Sequence, residues 1–444
     1  MAWNTDILEI KLKEAERVSW GLFKTGVCKC CNPKKLIRTK ILTGGLSNIL
    51  VLVSISTDLF CEDMKKINKN ILIQNLKVRF YSEERKIFVN EKREQLIQNL
   101  LSETGIIKPI LHYFQGGQIE EFVQGRTLQV EDLRNKSTYI QIARKIAKLH
   151  SIKISEDILK NIFLEYNPIN NQNLKDLYSV SNNQPMSILW PTLDKWTSFS
   201  EKTLKQNPNE HLIDINFEKL KLLICKLKRS LYSDVFSKLT CSIVISHSDL
   251  LPGNIIETLN KNYIFIDYEF SGTMECVFDL GNHLCEWAGF TCNWEYLPDD
   301  QTISEFINYY ISGLSTNQCK RNEFECEKSD TINNNKNNFN RLDELENNCK
   351  CLNHNVKQIS EFEHSDPLAI NKAYLKAVKT SMVISNIFWG LWAICKSDFG
   401  LNHSSSSNFD YKSYGYRKLE SINTQPYFRS ILKGIDPDIE FPVF

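Results

Sequence analysis

The chain has 444 residues, of which 42% are hydrophobic and 24% charged, as in an ordinary soluble globular protein of a few domains or one two-lobed unit. Its 54 basic side chains nearly cancel its 53 acidic ones, which disfavours a strongly basic nucleic-acid-binding protein. The N-terminus is acidic and has no unbroken apolar core, so it predicts neither a signal peptide nor a transit peptide. The longest apolar runs, such as 387–395, reach about half of the ~20 residues that a membrane-spanning helix needs. We therefore expect a cytoplasmic protein without membrane insertion.

The 14 cysteines raise the question of disulfides or zinc. Most of them lie singly in apolar segments, as reduced cytosolic cysteines do. The two tight groups, Cys28–Cys31 and Cys349–Cys351, lack the second distant pair that a tetrahedral zinc site requires. The spacing therefore argues against a structural metal.

The first part of the chain has mainly strand character. Runs of β-branched and alternating apolar residues predict five strands, and one segment with helical periodicity predicts a helix. In chain order these elements are strand 36–42, strand 49–55, strand 71–80, helix 88–102, strand 106–114 and strand 117–123. Gly44 and Gly45 fall between the first two strands, at a predicted hairpin tip. This order predicts a small β-rich N-terminal lobe over residues 1–122.

The character becomes helical after Leu133. The predicted elements are helix 139–150, helix 217–236, strand 241–245, strands 254–257 and 263–266, and helical sequence over 369–392. Residues 165–185 are Asn-rich and predict a surface insertion. Residues 316–366 are too poor in apolar side chains to offset the entropy of ordering and predict a disordered insertion. Residues 123–444 thus form a larger, mainly helical C-terminal lobe, and the fold class is α+β with two lobes.

The loop after strand 241–245 contains His247-x-Asp249-x₄-Asn254. A phosphoryl-transfer site needs a carboxylate to accept the proton of the attacking hydroxyl and an Asn oxygen on Mg²⁺, and the Asp-x₄-Asn spacing matches the protein-kinase catalytic loop. The alternative is an Asx-turn in which Asp249 or Asn254 bonds only to local backbone.

Strand 263–266 ends in two acids, Asp267 and Glu269, separated by one tyrosine. Both can point at a metal ion, and their mutual repulsion would be costly without a cation between them. Eighteen residues after Asp249 is where a kinase-like fold has its metal-binding aspartate. An exposed acid at a strand end is the alternative.

The predicted N-terminal lobe supplies three further features. Gly44, Gly45, Ser47 and Asn48 form a hairpin whose backbone can approach phosphates closely. Arg79 closes a strand and could reach ATP phosphates, and Glu94, or else Glu91, could pair with it from the helix. Each could instead be a solvated surface group. Their order along the chain is that of a kinase, which makes chance a poor explanation.

These residues resemble the choline/ethanolamine kinase family, relatives of protein kinases and aminoglycoside phosphotransferases. The similar stretches are Gly44–Asn48, Ile266–Glu269, Phe278–Trp287 and Phe388–Trp392. The resemblance implies a two-lobed protein-kinase-like fold that uses ATP and Mg²⁺. It implies Asp249 as catalytic base, Asn254 and Asp267 as Mg²⁺ ligands, Glu269 as a further metal or substrate contact, Arg79 as the phosphate-binding residue, and Glu121 to Val123 as the adenine-binding hinge.

The acceptor pocket is also implied by the resemblance. A quaternary ammonium has no N–H, so aromatic faces and a carboxylate must recognise it. Trp389 and Trp392 are three residues apart on one helix face, and the resemblance adds Tyr411 and Glu286 to the pocket. The tryptophans could instead be core residues.

The sequence thus predicts a choline kinase that binds ATP and choline and forms phosphocholine for phospholipid synthesis. Two departures stand out. Ser248 replaces the usual Asn or Gly of the catalytic loop. The aromatic side chain that the family often has shortly after the Glu-Trp pair has no aligned counterpart, because Phe290 is near that position but not aligned with it, and Thr291 stands beside it. The second leaves the preference for choline over ethanolamine open. Ethanolamine kinase, another small-molecule phosphotransferase and an inactive nucleotide-binding scaffold are the alternatives, and a homodimer is left open.

Overall fold

The structure is a computed structural model that describes residues 5–23, 36–42, 48–56, 75–82, 85–155, 158, 161–162, 187–206, 214–314, 365–402 and 409–444. It divides into two compact units. Unit 1 comprises Met1–Leu128, Gly253–Phe270 and Ile394–Lys412, and unit 2 comprises Gln129–Pro252, Ser271–Ala393 and Ser413–Phe444. Gly44, Gly45, Ser47, the Asn-rich stretch 165–185 and all but the last two residues of the predicted insertion 316–366 lie outside the described residues.

Unit 1 is built on a five-stranded antiparallel sheet of order β1-β2-β3-β5-β4. Its elements are α1 Thr5–Phe23, β1 Ile37–Leu42, β2 Asn48–Ile55, β3 Asn75–Tyr81, α2 Arg85–Phe88, α3 Glu91–Glu103, β4 Ile110–Phe114, β5 Gly117–Glu121 and β6 Arg126–Thr127. Asn90 caps α3, because its side chain accepts from the Arg93 backbone N–H. All predicted strands of this region are present, and the strand predicted from residue 106 begins only at Ile110.

Helix α1 was not predicted from the sequence. Its apolar side chains, including Leu8, Leu12 and Ala15, pack on the buried face of the sheet around Val51 and Val53. The helical spacing of these residues is present in the sequence, but acidic residues between them obscure it. The helix therefore supplies one side of the core of unit 1.

A second, small sheet in unit 1 joins β6 to a hairpin formed by β8 (Ile255–Glu257) and β9 (Tyr263–Phe265). The sequence predicted two strands here. They are present and pair antiparallel, with Ile255 opposite Phe265. This hairpin brings the residue before β8 and the residues after β9 to the same end.

Unit 2 is mainly helical. Its elements are α4 Val130–Leu133, α5 Lys136–His150, α6 Leu189–Gln206, α7 Phe217–Tyr232, α8 Ser237–Thr240, β7 Ile243–Ser246, β10 Gly272–Glu275, α9 Cys276–Cys285 and helix α10 over 300–314, followed by α11 Pro367–Asn402, α12 Tyr411–Thr424 and α13 Pro426–Ile435. The last residues of α11 and the first of α12 belong to unit 1. The helix predicted over 217–236 ends at Tyr232, and the helical stretch predicted over 369–392 begins at Pro367 and extends to Asn402.

Helices α9 and α11 form the centre of unit 2. Every residue of α9 is buried, and Gly281 lies so close to α11 that an added Cβ would be 2.8 Å from Ser381 Cβ and from the Val378 carbonyl oxygen. Only glycine permits this approach. α11 is the one helix among the described residues long and apolar enough to cross a membrane, and it is almost entirely buried inside the protein, as a core helix is.

Candidate active site

The loop 247–251 connects β7 to a 3₁₀ turn at Pro252–Asn254. Three residues of α9 bind its backbone. Asp279 accepts the backbone N–H groups of His247 and Ser248, each at 2.7 Å. Asn282 Nδ2 donates to the Ser248 carbonyl at 2.9 Å, and His283 Nδ1 donates to the Leu250 carbonyl at 2.9 Å.

Asp279, Asn282 and His283 are here called the α9 clamp. Their spacing of three and four residues places them on one face of α9, which is the face toward the loop. All three side chains are fully buried, so the loop is fixed by partners that water does not compete for. The clamp thus determines the backbone course on both sides of Asp249.

The electrostatics of the clamp leave the aspartate charged and the histidine neutral. Burial raises the pKa of Asp279, but hydrogen bonds from His150 and from the His247 backbone outweigh it and hold the pKa below its usual value. His150 Nε2 donates to Asp279 Oδ2 at 3.1 Å. Burial lowers the pKa of His283 from 6.5 to about 4, so its ring is neutral near pH 7.

Ser248 has a positive φ of 67°. The left-handed region is costly for most side chains and tolerable for Gly and Asn, which explains why those residues are usual at this position. The Ser248 hydroxyl lies 2.9 Å from Ser246 Oγ and 3.4 Å from Met274 Sδ. Local contacts therefore accommodate the Ser248 side chain although its backbone lies in the left-handed region.

Asn254 and Asp267, the predicted metal ligands, lie at the same end of the β8–β9 hairpin. The Asn254 carbonyl accepts the Ile266 backbone N–H at 3.0 Å. Asp267 follows directly with a positive φ of 69°, and its side chain is partly exposed. In unit 1 the structure therefore brings these two residues together.

Asp267 and Glu269 belong to a group of charged residues in unit 1, all buried except the partly exposed Asp267. It is called here the arginine cluster, and its members are Arg79, Arg85, Glu94, Asp267 and Glu269. Arg79 Nη1 lies 2.7 Å from Asp267 Oδ1 and 3.6 Å from Glu94 Oε1. Arg85 pairs with Glu94 through Nη2 and with Glu269 through Nε, the latter at 3.1 Å. Glu94 therefore pairs with Arg79, as predicted, and more closely with Arg85, which sequence reasoning missed.

The surroundings shift the pKa values of the two acids after β9 in opposite directions. Burial raises the pKa of Asp267, but Arg79 and Lys77 outweigh it and hold that pKa below its usual value. Burial and the neighbouring Asp267 raise the pKa of Glu269. Glu269 Oε2 also accepts from Asn48 Nδ2 at 3.1 Å, which ties the hairpin residue Asn48 to the cluster. Asp267 thus carries its charge more firmly than Glu269.

The donor set fits magnesium and argues against a softer metal. Among the described residues, no group of three or more His, Cys, Asp and Glu side chains could hold an ion by itself. Mg²⁺ is usually bound by one or two carboxylates together with substrate phosphates. Asp267 with the Asn254 amide is a set of that kind, and the metal roles stay predictions.

The predicted acceptor residues of unit 2 are engaged in contacts within the protein. The rings of Trp389 and Trp392 pack edge to face with their centroids 5.2 Å apart, and both residues are buried. Trp389 Nε1 donates to Asn282 Oδ1 at 2.7 Å. Glu286 Oε1 lies 3.6 Å from the Nζ of Lys418, a buried lysine that sequence reasoning missed. The Nζ of Lys418 also lies 5.5 Å from the ring centre of Tyr414.

The remaining predicted residues lie in unit 1. Tyr411 is buried, and the ammonium of Lys396 lies 5.9 Å from its ring centre. Glu121 ends β5 and pairs with Lys108 at 3.1 Å, while Val123 lies half-buried two residues later. Between them, the Phe122 N–H donates to the Asn75 carbonyl at 3.0 Å. The nucleotide and acceptor roles of all these residues stay predictions.

The residues that sequence reasoning missed differ in how visible they are. Asp279, Asn282 and His283 lie in the Phe278–Trp287 stretch, and their polar i, i+3, i+4 spacing in an apolar helix is a signal that could have identified them. For Arg85 and Lys418 the sequence contains no comparable signal, because each directly follows another charged residue and has a further charged residue within the next two positions.

The known proteins that this chain is similar to are choline and ethanolamine kinases. A model of the choline/ethanolamine kinase family matches residues 39–423. The probable ethanolamine kinase A of Dictyostelium discoideum is 26% identical over 385 residues, which cover 85% of this chain and 82% of the relative. The probable choline kinase 3 of Arabidopsis thaliana is 21% identical over 368 residues and 83% of each chain.

Solved structures give the fold. The structure of a Plasmodium vivax ethanolamine kinase has a TM-score of 0.61 and 25% identity over 90% of this chain and 86% of that one. A choline kinase structure from Cryptosporidium parvum has a TM-score of 0.59 and 20% identity, covering 95% of this chain and 98% of its own. The fold is protein-kinase-like, with a small sheet-based part and a larger helical part. The chain therefore belongs to the choline/ethanolamine kinase family, whose members are ATP-dependent phosphotransferases.

Proposed function

We propose that the protein transfers the γ-phosphoryl group of ATP to the hydroxyl of a small amino alcohol and that ethanolamine is its preferred acceptor. The observation that carries the phosphotransferase proposal is the α9 clamp, which fixes the backbone around Asp249 through buried hydrogen bonds to Ser248 and Leu250. A catalytic group held in this way does not need to be ordered when substrate binds.

In this proposal each side chain has one role. Asp249 accepts the proton of the acceptor hydroxyl as the hydroxyl oxygen attacks the γ-phosphorus. Arg79 supplies positive charge toward the phosphates, and Glu94 holds it from α3. Asn254 and Asp267 would hold Mg²⁺, which supplies charge neutralisation at the phosphates when bound.

Two observations favour ethanolamine over the predicted choline. Relatives that cover most of this chain are named ethanolamine kinases, in Dictyostelium discoideum and Plasmodium vivax. A quaternary ammonium needs open aromatic faces, but Trp389 and Trp392 are only 5% and 7% exposed. Choline is the second candidate, because the same tryptophan pair supplies aromatic surface at the predicted acceptor position. Residence in the cytoplasm and a homodimer stay predictions.

A methylation series of acceptors tests the proposal. ADP release is measured with ATP, Mg²⁺ and, in turn, ethanolamine, its N-methyl and N,N-dimethyl derivatives, choline and an aminoglycoside. We expect kcat/KM to fall with each added methyl group. A rise toward choline would make the protein a choline kinase, activity on the aminoglycoside alone would place it in another acceptor class, and activity on none would indicate an inactive scaffold.

The variant Asp249→Asn tests the catalytic base. It keeps the size of the side chain and removes the proton acceptor, so kcat should fall by about 10²- to 10⁴-fold. Asp299→Asn is the matched control, because Asp299 is an exposed carboxylate whose Oδ1 accepts the Thr302 N–H at 2.8 Å. Equal rates in the parent and the Asp249 variant would contradict the assignment.

A further inference from the structure

Lys418 is a lysine of α12 whose side chain is only 1% exposed. Its Nζ lies 3.6 Å from Oε1 of Glu286, and 5.6 Å and 5.5 Å from the ring centres of Trp294 and Tyr414. Aromatic faces and a carboxylate are the groups that stabilise an ammonium away from water. All four residues lie in unit 2, so the arrangement belongs to one compact unit.

The ammonium of Lys418 is charged near pH 7. Burial lowers the pKa of Lys418, but interactions with Tyr414 and Glu286 outweigh burial and hold that pKa above its usual value. Among the described residues, Lys418 is the cation that pairs with Glu286. The two opposite charges therefore stabilise each other in a place with little water.

Glu286 follows the last residue of α9 and begins a 3₁₀ turn, so its backbone is fixed by the end of that helix. Its side chain is 8% exposed, and burial favours the neutral form of a carboxyl group that has no cation beside it. A neutral carboxyl group attracts an ammonium far less than a carboxylate does. The predicted use of Glu286 as an acceptor contact therefore depends on Lys418.

We propose that Lys418 is a positioning residue for acceptor binding: its ammonium holds the Glu286 carboxylate in place, and this carboxylate binds the ammonium of the amino alcohol. The proposal rests on the proposed function, because it takes Glu286 as the acceptor contact. Lys418 acts through Glu286 and does not touch the acceptor. Its loss should therefore weaken acceptor binding and leave the phosphoryl-transfer step unchanged.

The deciding variant is Lys418→Met, which keeps an unbranched apolar side chain and removes the ammonium. We expect the KM for ethanolamine to rise about tenfold, while kcat and the KM for ATP change less than about twofold. An unchanged KM would overturn the proposal. A lower KM would overturn it too, because Lys418 would then compete with the acceptor for Glu286.

The choice of acceptor adds a result that a general loss of stability would not produce. Ethanolamine has three N–H donors for the Glu286 carboxylate, whereas choline has none and interacts with it by charge alone. The factor by which Lys418→Met raises KM should therefore be smaller for choline than for ethanolamine. Equal factors for the two acceptors would contradict the proposal.

Two further variants test whether the charge of Lys418 is what matters. Lys418→Arg keeps the charge, so its KM for ethanolamine should lie closer to the parent than to Lys418→Met. Lys379→Met is the matched control in unit 2, because Lys379 Nζ lies 2.6 Å from Asp300 Oδ1 and 5.7 Å from the ring centre of Tyr427. Its KM should equal that of the parent. If either Lys418→Arg or Lys379→Met had the KM of Lys418→Met, the proposal would be wrong.

A double-mutant cycle tests whether Lys418 acts through Glu286. Glu286→Gln should raise the KM for ethanolamine at least as far as Lys418→Met, and the double variant should have the KM of Glu286→Gln. The double variant also removes the buried carboxylate that Lys418→Met leaves without its cation, so it keeps the test available if the single variant does not fold. A further rise of KM in the double variant would show an independent effect of Lys418 and would contradict the proposal.

Calorimetric titration with ethanolamine separates this proposal from the proposed function. The Kd should be about tenfold higher in Lys418→Met than in the parent, whether or not the parent transfers phosphate. A parent that binds ethanolamine but releases no ADP would overturn only the proposed function. A parent that phosphorylates ethanolamine, with the same Kd as Lys418→Met, would overturn only the role of Lys418.

Discussion

The α9 clamp of unit 2 and the arginine cluster of unit 1 both hold predicted catalytic groups, but they use different chemistry. The clamp contains one carboxylate that accepts two backbone N–H groups, together with a neutral amide and a neutral imidazole. The cluster contains two arginines and three carboxylates, bound to one another by ion pairs.

Each region contains a buried polar atom without a hydrogen-bond partner among the described residues: His283 Nε2 in the clamp and Arg85 Nη1 in the cluster. The two regions differ in charge instead. The clamp holds the loop through one carboxylate and two neutral side chains, whereas the cluster depends on a balance of several opposite charges. Changes to one charge should therefore have larger effects than changes to one neutral bond.

The largest effect is expected for Arg85→Met. Removal of this guanidinium leaves Glu94 and Glu269 without their closest cation in a buried site, which should lower the free energy of unfolding by about 3–5 kcal/mol. Denaturant unfolding of the full chain measures it. Arg126→Met is the matched control, because Arg126 pairs with Glu257 at 2.7 Å and is 53% exposed, so its loss should cost less than about 1 kcal/mol.

The double variant Arg85→Met with Glu94→Gln sharpens this prediction. It removes one of the two stranded carboxylate charges and should recover part of the stability. If Arg85→Met cost no more than Arg126→Met, the cluster would not be an interdependent set of charges, and the contrast with the clamp would disappear.

An intermediate effect is expected from pH acting on His283. Its pKa is lowered by burial from 6.5 to about 4, so between these values the unfolded chain takes up a proton that the folded chain does not. His283 therefore does not reduce the free energy of unfolding above pH 6.5. As the pH falls from 6.5 toward 4, it lowers that free energy by at most about 3 kcal/mol. Urea unfolding at several pH values measures this loss.

The comparison variant is His283→Asn, which offers an amide donor to the Leu250 carbonyl but does not titrate. As the pH falls below 7, the free energy of unfolding of His283→Asn should decrease less than that of the parent. Parallel curves for the two proteins would show that His283 does not resist protonation in the folded state.

The smallest effect is expected at Ser248, where the backbone conformation favours glycine. With φ at 67°, Ser248→Gly should be more stable than Ser248→Ala by about 1 kcal/mol, because both lose the hydroxyl and only Ala retains the strain of a Cβ. Ser198, an exposed residue within α6, is the control position, since there Ala should be more stable than Gly by about 1 kcal/mol. If the Gly and Ala variants had the same order of stability at both positions, the predicted backbone strain at Ser248 would be contradicted.

Much of the fold could be predicted from the sequence because its signals are local. Alternating β-branched residues predicted the strands of unit 1, and the three- and four-residue apolar period predicted α5 and α7. Helix α9 escaped prediction because it is buried on all sides and so has no polar face. Its polar clamp residues look like interruptions of an apolar run until the loop that they bind is known.

The sequence by itself determined which chemical groups are present and in which order: the loop with Asp249, the acids after β9, the basic residue on β3 and the tandem tryptophans. Only the tertiary structure decided which group each one contacts. Arg79 and Asp267 are 188 residues apart, and Trp389 and Asn282 are 107 apart. Backbone conformation and apolar period are short-range properties of a chain, whereas the partner of a buried charge or an indole N–H is selected by packing among all elements at once.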